Sequence, residues 1–422
     1  MRILVVTNLY PPDVIGGYEM KCIEAVEALE ARGHDVLVVT SIPRWPVDVP
    51  AGVERVLTLA DVYDVSGRHS DSSVTRRLNH ARANFVSADN VYRLTRAVEA
   101  FKPDVAYLWN MVGIGGLGLV AGIQYLGVPW VWQLFDTVPL VLCEFEGAVV
   151  PGLAREFEQR IEGRFLACSQ RLVDEIDEGG IHLDGGVELV PMWIAGEKPP
   201  VRQSYFKGGH LRLIFAGRVT DYKGIPIIIE AAAQLIREGH ANFSVDIFGH
   251  VSAADMFLKG LVHEHALQGI VTFKGLRPAS DLAAMYGEYD LFAFPTWSHE
   301  PFAFAPLEAA GYGCVPLLSA DCGNSEWFVH DVDCLKSIRA REPFAQQIRR
   351  VLTGEVDVAG IGARAQETVW DDFSARRAID TVEHNLAEAA QRPRTAAGTG
   401  DDAYHLAMLA ERVVGAMIKE AS

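Results

Sequence analysis

Two series of short apolar segments, each alternating with longer helical segments, constrain the fold of this chain more than any other feature. The first series predicts strands at residues 3–7, 36–39, 105–108 and 130–134, and a helix over about 17–32. Gly33 follows that helix, at the position where helices commonly stop. Strands that alternate with helices favour a parallel sheet covered on both faces. The first half is therefore predicted to be one doubly wound domain.

A break rich in proline, glycine and charge, GEKPPVRQSYFKGGH at residues 196–210, separates the two series and is typical of a linker. The second series predicts strands at 211–216, 243–248, 291–294 and 315–318, with helices at 224–238 and 254–265. We therefore expect an α/β protein with two Rossmann-like, doubly wound parallel-sheet domains facing a central cleft. The predicted domains are 1–196 and 197–374, and the C-terminal helices from about 375–422 are expected to pack back on the first.

The composition excludes several classes of function. A net charge of -17 argues against nucleic-acid binding, which needs a basic face. The six cysteines form no C-x-x-C pair, so neither a zinc knuckle nor a disulfide framework is indicated. Met1 leads directly into a strand-like run, and no apolar run reaches the roughly 18 residues that a membrane span requires. We therefore expect a cytoplasmic protein.

A candidate phosphate site follows the strand at 211–216. The segment FAGRVTDYKG places Gly217, Arg218 and Lys223 between this strand and the next helix. Two cations and a helix N-terminus are the donors that a diphosphate needs, and glycine lets the backbone approach it. An ordinary solvated loop is the alternative.

A pair of carboxylates follows the strand at 291–294. In WSHEPFAFAPLEAAGYGCVP, Glu300 lies in the loop and Glu308 is expected in the first turns of the following helix. A carboxylate accepts hydrogen bonds from two neighbouring hydroxyls, so one of the two can bind a ribose and the other a sugar.

Together these segments resemble the family 4 retaining glycosyltransferases, which have the two-domain GT-B architecture. The matching motifs are GGYE at 16–19, Gly217-Arg218 with Lys223-Gly224, Gly249 after the strand at 243–248, and the E-x7-E run from Glu300 to Glu308. The segment CGNSE at 322–326 falls where the family has a glycine pair and a glutamate. The resemblance extends to about residue 390.

The resemblance implies a site for a nucleotide-diphosphate sugar as co-substrate. Arg218 and Lys223 would bind the diphosphate, Glu308 the ribose and Glu300 the transferred sugar, and the implied catalytic residues are Arg218, Lys223 and Glu300. The other implied donor-binding positions are Gly16, Gly17, Gly217, Gly249, Phe302, Ala303, Phe304 and Leu307. In this family the anomeric configuration is retained and no metal is needed, so no cofactor and no metal site are expected. A uridine nucleotide is favoured over a guanosine one by its frequency in the family.

Several residues depart from the family pattern. The histidine common after the strand at 105–108 is absent, and Asn110 is the polar residue there. Where relatives commonly have a His-Asp pair, this chain has Phe135 and Asp136, and Ala303 stands where the family usually has a glycine. Asn110 and Asp136 are therefore the candidates for acceptor contacts, with a cap or turn role as the alternative for each. The sugar and the acceptor do not follow from the usual pattern.

Two further motifs are discounted. The run G-x-G-x-x-G at 113–118 follows an interior strand, so close packing or an acceptor pocket is favoured over a bound dinucleotide. The His263-Glu264-His265 triplet lacks the i, i+4 spacing of a helical zinc pair.

Arg76, Arg77 and Arg82 lie in a basic stretch that could contact a membrane peripherally at its inner face, although ordinary helix solvation is the alternative.

Three functions remain open from the sequence. The first is a retaining glycosyltransferase that moves a sugar to an unidentified hydroxyl acceptor in polysaccharide, glycolipid or secondary-metabolite biosynthesis. The second is a sugar-nucleotide epimerase of the same architecture, and the third is a non-catalytic sugar-nucleotide-binding protein. The presence of both cations and both carboxylates argues against the third.

Overall fold

The computed structural model describes residues 1–43, 45–60, 79–141, 143, 162–183, 186–253, 255–392, 408, 410–412 and 415. The described chain divides into two compact units. The first unit draws on Met1–Cys168, Leu172–Val190 and the chain from Ile379 onward, and the second on Ser169–Arg171 and Pro191–Ala378. Each unit contains one parallel sheet.

The first unit is built on a seven-stranded sheet in the order β3-β2-β1-β4-β5-β6-β7. Its strands are β1 (Arg2–Val6), β2 (Asp35–Ser41), β3 (Val53–Leu57), β4 (Val105–Leu108), β5 (Trp130–Leu134), β6 (Arg164–Ala167) and β7 (Val187–Leu189). Every neighbouring pair is parallel. The central strands β4 and β5 are buried along their whole length, as expected for strands covered on both faces.

The helices of the first unit follow its strands in alternation. They are α1 (Gly17–Ala31), α2 (Ala88–Phe101), α3 (Gly116–Tyr125) and α4 (Gln170–Glu178), the first two residues of which belong to the second unit. From Ile379 onward, the helix Ala375–Ala390 also belongs to the first unit. Short helical turns lie at Ala81–Phe85 and Val138–Leu140. Strands β1 and β4 are neighbours although they are separated in the chain, so the strand order reverses between them. In such sheets ligands bind beyond the carboxyl ends of the strands at this reversal.

The second unit is built on a six-stranded parallel sheet in the order β10-β9-β8-β11-β12-β13. Its strands are β8 (Leu211–Ala216), β9 (Phe243–Phe248), β10 (Val271–Gly275), β11 (Leu291–Phe294), β12 (Val315–Ser319) and β13 (Leu335–Ser337). The remaining helices are α5 (Ile225–Arg237), α6 (Phe257–Glu264), α7 (Ala279–Tyr286), α8 (Phe304–Gly311), α9 (Arg341–Leu352), α10 (Val358–Asp372) and α11 (Ala375–Ala390). Here the strand order reverses between β8 and β11.

The predicted fold class, two Rossmann-like parallel-sheet domains, is confirmed by these two sheets. The strand pattern did not predict β3, β6, β7, β10 and β13. Four of these are edge strands, and two of the four, β7 and β13, have only three residues each. The helix predicted at 254–265 is shorter in the structure, where it spans Phe257–Glu264.

The segment predicted as a linker is anchored to the second unit by a buried ion pair. Arg202 Nη2 lies 2.7 Å from Asp290 Oδ1, and both side chains are almost fully buried. The same carboxylate accepts the backbone N–H groups of Phe206 at 3.1 Å and Arg212 at 2.9 Å. The segment is therefore fixed to the second unit. Its proline and glycine content did not predict this, because the anchor is a single charged side chain.

Candidate functional site

The two neighbouring strands at the reversal of the second sheet carry the two predicted donor loops. Strand β8 ends at Ala216 and is followed by Gly217 and Arg218, while β11 ends at Phe294 and leads to Glu300. Because β8 and β11 are parallel partners, both loops leave the same edge of the sheet. The predicted phosphate and sugar loops are thus brought to one place.

Lys223 and Glu300 form a buried ion pair at this edge. Lys223 Nζ donates to Glu300 Oε2, and the two residues are only 9% and 7% exposed. The hydroxyl of Thr296, which is itself buried, donates to the same carboxylate oxygen at 3.3 Å. Burial lowers the pKa of Lys223, the Glu300 carboxylate opposes this shift, and the positive charge of Arg218 adds to it. An anion brought to this ammonium would meet it in a site of low dielectric, where the attraction is strong.

Arg218 extends the positive charge toward solvent. Its side chain is exposed, and its guanidinium carbon lies 5.6 Å from the centre of the Tyr222 ring. The Tyr222 ring in turn packs on the Trp297 ring, with 4.8 Å between the ring centres. The backbone N–H of Trp297 donates to the backbone carbonyl of Tyr222 at 3.1 Å. These contacts hold the Arg218 loop and the Glu300 loop against each other.

Gly217 and Gly249 allow the ends of β8 and β9 to approach closely. The Gly249 backbone has φ +145°, and a Cβ atom there would lie 1.9 Å from the carbonyl oxygen of Gly217. Any other residue would push the two loops apart. The structure therefore assigns Gly249 a packing requirement beside the candidate phosphate loop.

Glu308 lies in the second turn of α8, and its side chain is half-buried. Burial is the larger cause, and the negative charge of Glu308 a further one, of a pKa of Tyr286 well above its usual value.

Phe302 and Leu307 are buried, so their side chains belong to the core. Ala303 immediately precedes α8, whose first residue is Phe304.

One residue of this site was not singled out from the sequence. Asn324 is fully buried and forms two hydrogen bonds to the backbone of Ala303, at 2.7 Å and 2.8 Å. The only signal was its place in the CGNSE segment. Glu326, from the same segment, accepts the backbone N–H groups of Gln170 and Arg171 at 2.7 Å and 2.6 Å.

In the first unit, Gly16 and Gly17 lie where the loop after β1 enters α1. The Gly16 N–H donates to Glu19 Oε2 at 2.8 Å. Burial raises the pKa of Glu19, whereas the N–H groups of Gly16 and Ile15 act in the opposite direction. The glutamate of the GGYE motif therefore caps the loop that carries the two glycines.

Asn110 and Asp136 follow the neighbouring strands β4 and β5. Asn110 is 6% exposed, and its Oδ1 accepts the Val112 N–H at 3.2 Å. Asp136 Oδ1 accepts the Val138 N–H at 3.1 Å. Each residue thus stabilises its own turn, the cap or turn role that the sequence left as the alternative.

Tyr18 links the start of α1 to the segment that carries Asp136. Its ring stacks on Phe135 with 4.5 Å between ring centres, and its hydroxyl donates to the Phe135 carbonyl at 3.2 Å. Gly17 and Asp136 are therefore held near each other within the first unit.

Asp136→Asn is expected to stabilise the first unit at neutral pH. Burial raises the pKa of Asp136 to about 6, above the value of about 4 expected in the unfolded chain. A carboxyl group with a raised pKa contributes stability below the unfolded value, and this contribution is lost as the pH rises through about 6. The amide keeps the turn acceptor but cannot ionise. Thermal melts should therefore show the variant above the wild type at pH 7, with the difference vanishing toward about pH 4; a constant difference would contradict this explanation.

The glycine run at 113–118 packs closely within the first unit. In the G-x-G-x-x-G run, a Cβ atom on Gly115 would lie 2.4 Å from the Ser87 nitrogen, and one on Gly118 would lie 2.7 Å from Val86 Cγ2. This run therefore serves close packing. In the described part of the chain, no group of three or more His, Cys, Asp or Glu side chains could hold a metal ion.

Of the three arginines proposed for membrane contact, Arg76 and Arg77 lie outside the described residues. Arg82 forms an ion pair with Glu411, with 2.7 Å between Nε and Oε1. Across the ranges that the structure describes, every helix lacks the length or the apolar character needed to cross a membrane.

The chain is similar in sequence to known glycosyltransferases. Residues 198–368 match the family described as Glycosyl transferases group 1. A curated relative, the glycogen synthase of Mycobacterium tuberculosis, is 25% identical over 410 residues, which cover 92% of this chain and 90% of the relative. The epimerase and the non-catalytic alternatives are not favoured by these findings.

Two solved structures have the same fold. A glycosyltransferase from Rickettsia africae has a TM-score of 0.68 and 15% identity, covering 93% of this chain and 99% of its own. Anabaena Alr3699/HepE in complex with UDP has a TM-score of 0.67 and 17% identity, covering 92% of this chain and 100% of its own. The predicted GT-B fold is thus confirmed.

Proposed function

We propose that this chain, whose residues 198–368 match the family described as Glycosyl transferases group 1, transfers a sugar from a nucleotide-diphosphate sugar to a hydroxyl acceptor with retention of configuration. The observation that carries the proposal is the buried Lys223–Glu300 pair beside Arg218, at the reversal of the second sheet. Such a cluster combines fixed positive charge for phosphate with a carboxylate for hydroxyl groups.

Arg218 and Lys223 bind the diphosphate and stabilise the charge that develops as the nucleotide leaves. The lowered pKa of Lys223 reflects a poorly hydrated ammonium, whose interaction with a phosphate oxygen is strengthened by the same low dielectric. Arg218, being exposed, can reach the outer phosphate oxygens with its planar fork of donors. Binding of the donor therefore exchanges part of the Lys223–Glu300 contact for a contact with phosphate.

Glu300 is then available to the transferred sugar. In the proposed reaction the bond between the anomeric carbon and the β-phosphate oxygen breaks, and the electron pair leaves with the phosphate. The acceptor oxygen bonds to the anomeric carbon on the same face, and its proton passes to the departing phosphate oxygen. Configuration is thereby retained without a covalent link to the protein.

Asn110 and Asp136 are our candidates for acceptor contacts, because each is a polar side chain at the carboxyl end of an adjacent strand of the first sheet. Gly16 and Gly17 remain candidates for a donor loop. We further propose a uridine diphosphate donor without a metal, supported by the UDP and UDP-glucose complexes of the Anabaena structural neighbour. We also propose a cytoplasmic location and a peripheral membrane contact through Arg76, Arg77 and Arg82.

Glu308→Ala is expected to weaken donor binding by about 2 to 4 kcal/mol, the scale of a charged hydrogen-bonding partner lost in a dry site. The reason is that the carboxylate is proposed to accept the two ribose hydroxyls. Titration with UDP and with uridine should show similar losses, since both carry the ribose. A matched control is Glu288→Ala, which removes an exposed carboxylate of the same unit; donor hydrolysis at the wild-type rate in Glu308→Ala would remove Glu308 from the site.

The proposed reaction is tested by incubating the protein with UDP-glucose, GDP-mannose and ADP-glucose in turn, with a panel of hydroxyl acceptors and a chelator. Transfer should yield a glycoside whose anomeric proton in the NMR spectrum has the configuration of the donor. An inverted product would contradict retention, and an altered sugar released together with free nucleotide in the absence of acceptor would contradict transfer.

A further inference from the structure

The pair Gly323–Asn324 holds both ends of the loop that runs from Glu300 to Ala303. At one end, the Gly323 N–H donates to the Glu300 carbonyl at 2.9 Å. At the other end, Asn324 Oδ1 accepts the Ala303 N–H at 2.7 Å, and Asn324 Nδ2 donates to the Ala303 carbonyl at 2.8 Å. We call this arrangement the 323–324 clamp.

The clamp depends on the residue types at both positions. A Cβ atom on Gly323 would lie 1.8 Å from the Pro301 carbonyl oxygen, so only glycine permits this approach. A side-chain amide offers one acceptor and donors in one plane, which is what pairing with both polar groups of a single residue requires. Because Asn324 is fully buried, no water competes for these hydrogen bonds.

The turn that carries the clamp is itself fixed. The Ser325 hydroxyl donates to the carbonyls of Ala320 at 2.7 Å and Cys322 at 2.8 Å. These bonds link the turn to the end of β12, a strand in the interior of the sheet. The position of Ala303 is therefore set by the sheet through Asn324.

The loop held by the clamp carries Glu300, which pairs with Lys223. Helix α8, which follows the loop, is anchored separately by the fully buried residues Leu307, Ala309 and Ala310. Loosening the clamp would therefore move Glu300 and the Ala303 peptide but leave Glu308 in place.

We propose that Asn324 is a positioning residue for the transferred sugar, acting through the Ala303 peptide and Glu300. This inference rests on the proposed function, because it assigns the loop to the sugar part of the donor. It adds that the loop proposed to contact the sugar is supported by the 323–324 clamp, whereas Glu308, proposed to contact the ribose, is supported by α8.

Asn324→Asp tests this inference with little change in volume. The variant keeps an acceptor for the Ala303 N–H but places a carboxylate oxygen against the Ala303 carbonyl in place of a donor. We expect turnover of UDP-glucose to fall by about 10- to 100-fold, the scale of misplaced reacting groups. The affinity for UDP alone should change by less than about twofold, because Glu308, Arg218 and Lys223 are unaltered and UDP binding already exchanges part of the Lys223–Glu300 contact for phosphate.

The experiment compares wild type, Asn324→Asp and Asn324→Ala with the control Asn242→Asp, which alters an exposed asparagine of the same unit. Titrations with UDP and with UDP-glucose, turnover and melting temperature are measured for each. Hydrogen exchange of the peptide that contains residues 300–305 reports the clamp without any ligand. If Asn324→Ala does not fold, the comparison is made with Asn324→Asp alone.

Faster exchange at 300–305 together with a selective loss of UDP-glucose turnover would support the proposal. Equal losses for UDP and UDP-glucose would overturn it, as would unchanged turnover despite faster exchange. Unchanged exchange in Asn324→Asp would show that there is no clamp. If the wild type binds neither ligand, the proposed function fails, and the exchange data still decide whether Asn324 fixes the loop.

Discussion

Lys223→Ala is expected to lower the turnover of the sugar donor by about 100- to 1,000-fold, the range found when a charge-stabilising donor is removed from a reaction site. The ammonium is the buried cation nearest to Glu300, and its loss removes the proposed phosphate contact. It also leaves Glu300 as a buried carboxylate without its cation, which costs stability in addition.

The matched control is Lys274→Ala in the same unit, where the ammonium lies 3.3 Å from Asp246 and is 40% exposed. This variant should retain wild-type turnover and melting temperature, because exposed ion pairs contribute little. Kinetics with UDP-glucose and a thermal melt are measured for both variants. Wild-type turnover in a folded Lys223→Ala protein would remove Lys223 from the reaction.

Asp290→Ala is expected to destabilise the second unit by about 3–5 kcal/mol, the cost of removing one partner of a buried ion pair. Its carboxylate pairs with Arg202 and accepts the N–H groups of Phe206 and Arg212. All three donors would lose their acceptor at once. Denaturant-dependent hydrogen exchange of the β8 amides measures the free energy of unfolding of the second unit.

Glu288→Ala is the control for this measurement, because Glu288 pairs with Arg212 at the surface with its side chain 55% exposed. It should cost less than about 1 kcal/mol. If Asp290→Ala cost no more than Glu288→Ala, the ion pair would not anchor residues 202–206 to the second unit.

The sequence predicted the central strands of both sheets because they are largely apolar and largely buried. Strands β4 and β11 are apolar and buried throughout, β5 and β8 contain one polar residue each, and β9 alternates buried and half-buried residues over most of its length. It missed β7 and β13, since three residues at a sheet edge give no readable period, and it also missed β3, β6 and β10, each of which contains at least one charged residue. The catalytic and donor-binding assignments remain predictions.

The sequence could indicate which residue types lie at the candidate site but not how they pair. Lys223 and Glu300 were both assigned to the donor, yet their ion pair joins residues 77 positions apart. The bonds between Asn324 and Ala303 depend on the approach of two loops that no local pattern encodes. The ion pair of Arg202 with Asp290 was not predicted, because the proline and glycine content of its segment suggested only a linker.

Calorimetric titration of the wild type and of Lys223→Ala with UDP, GDP and ADP, in the presence of a chelator, tests whether Lys223 belongs to a nucleotide-sugar site. We expect the wild type to bind one of these diphosphates, UDP before the others, and Lys223→Ala to bind it at least about tenfold more weakly, as expected for a lost charged partner in a dry site. Equal binding by both proteins, or no binding of any diphosphate by the wild type, would contradict the assignment of Arg218, Lys223 and Glu300 to a nucleotide-sugar site.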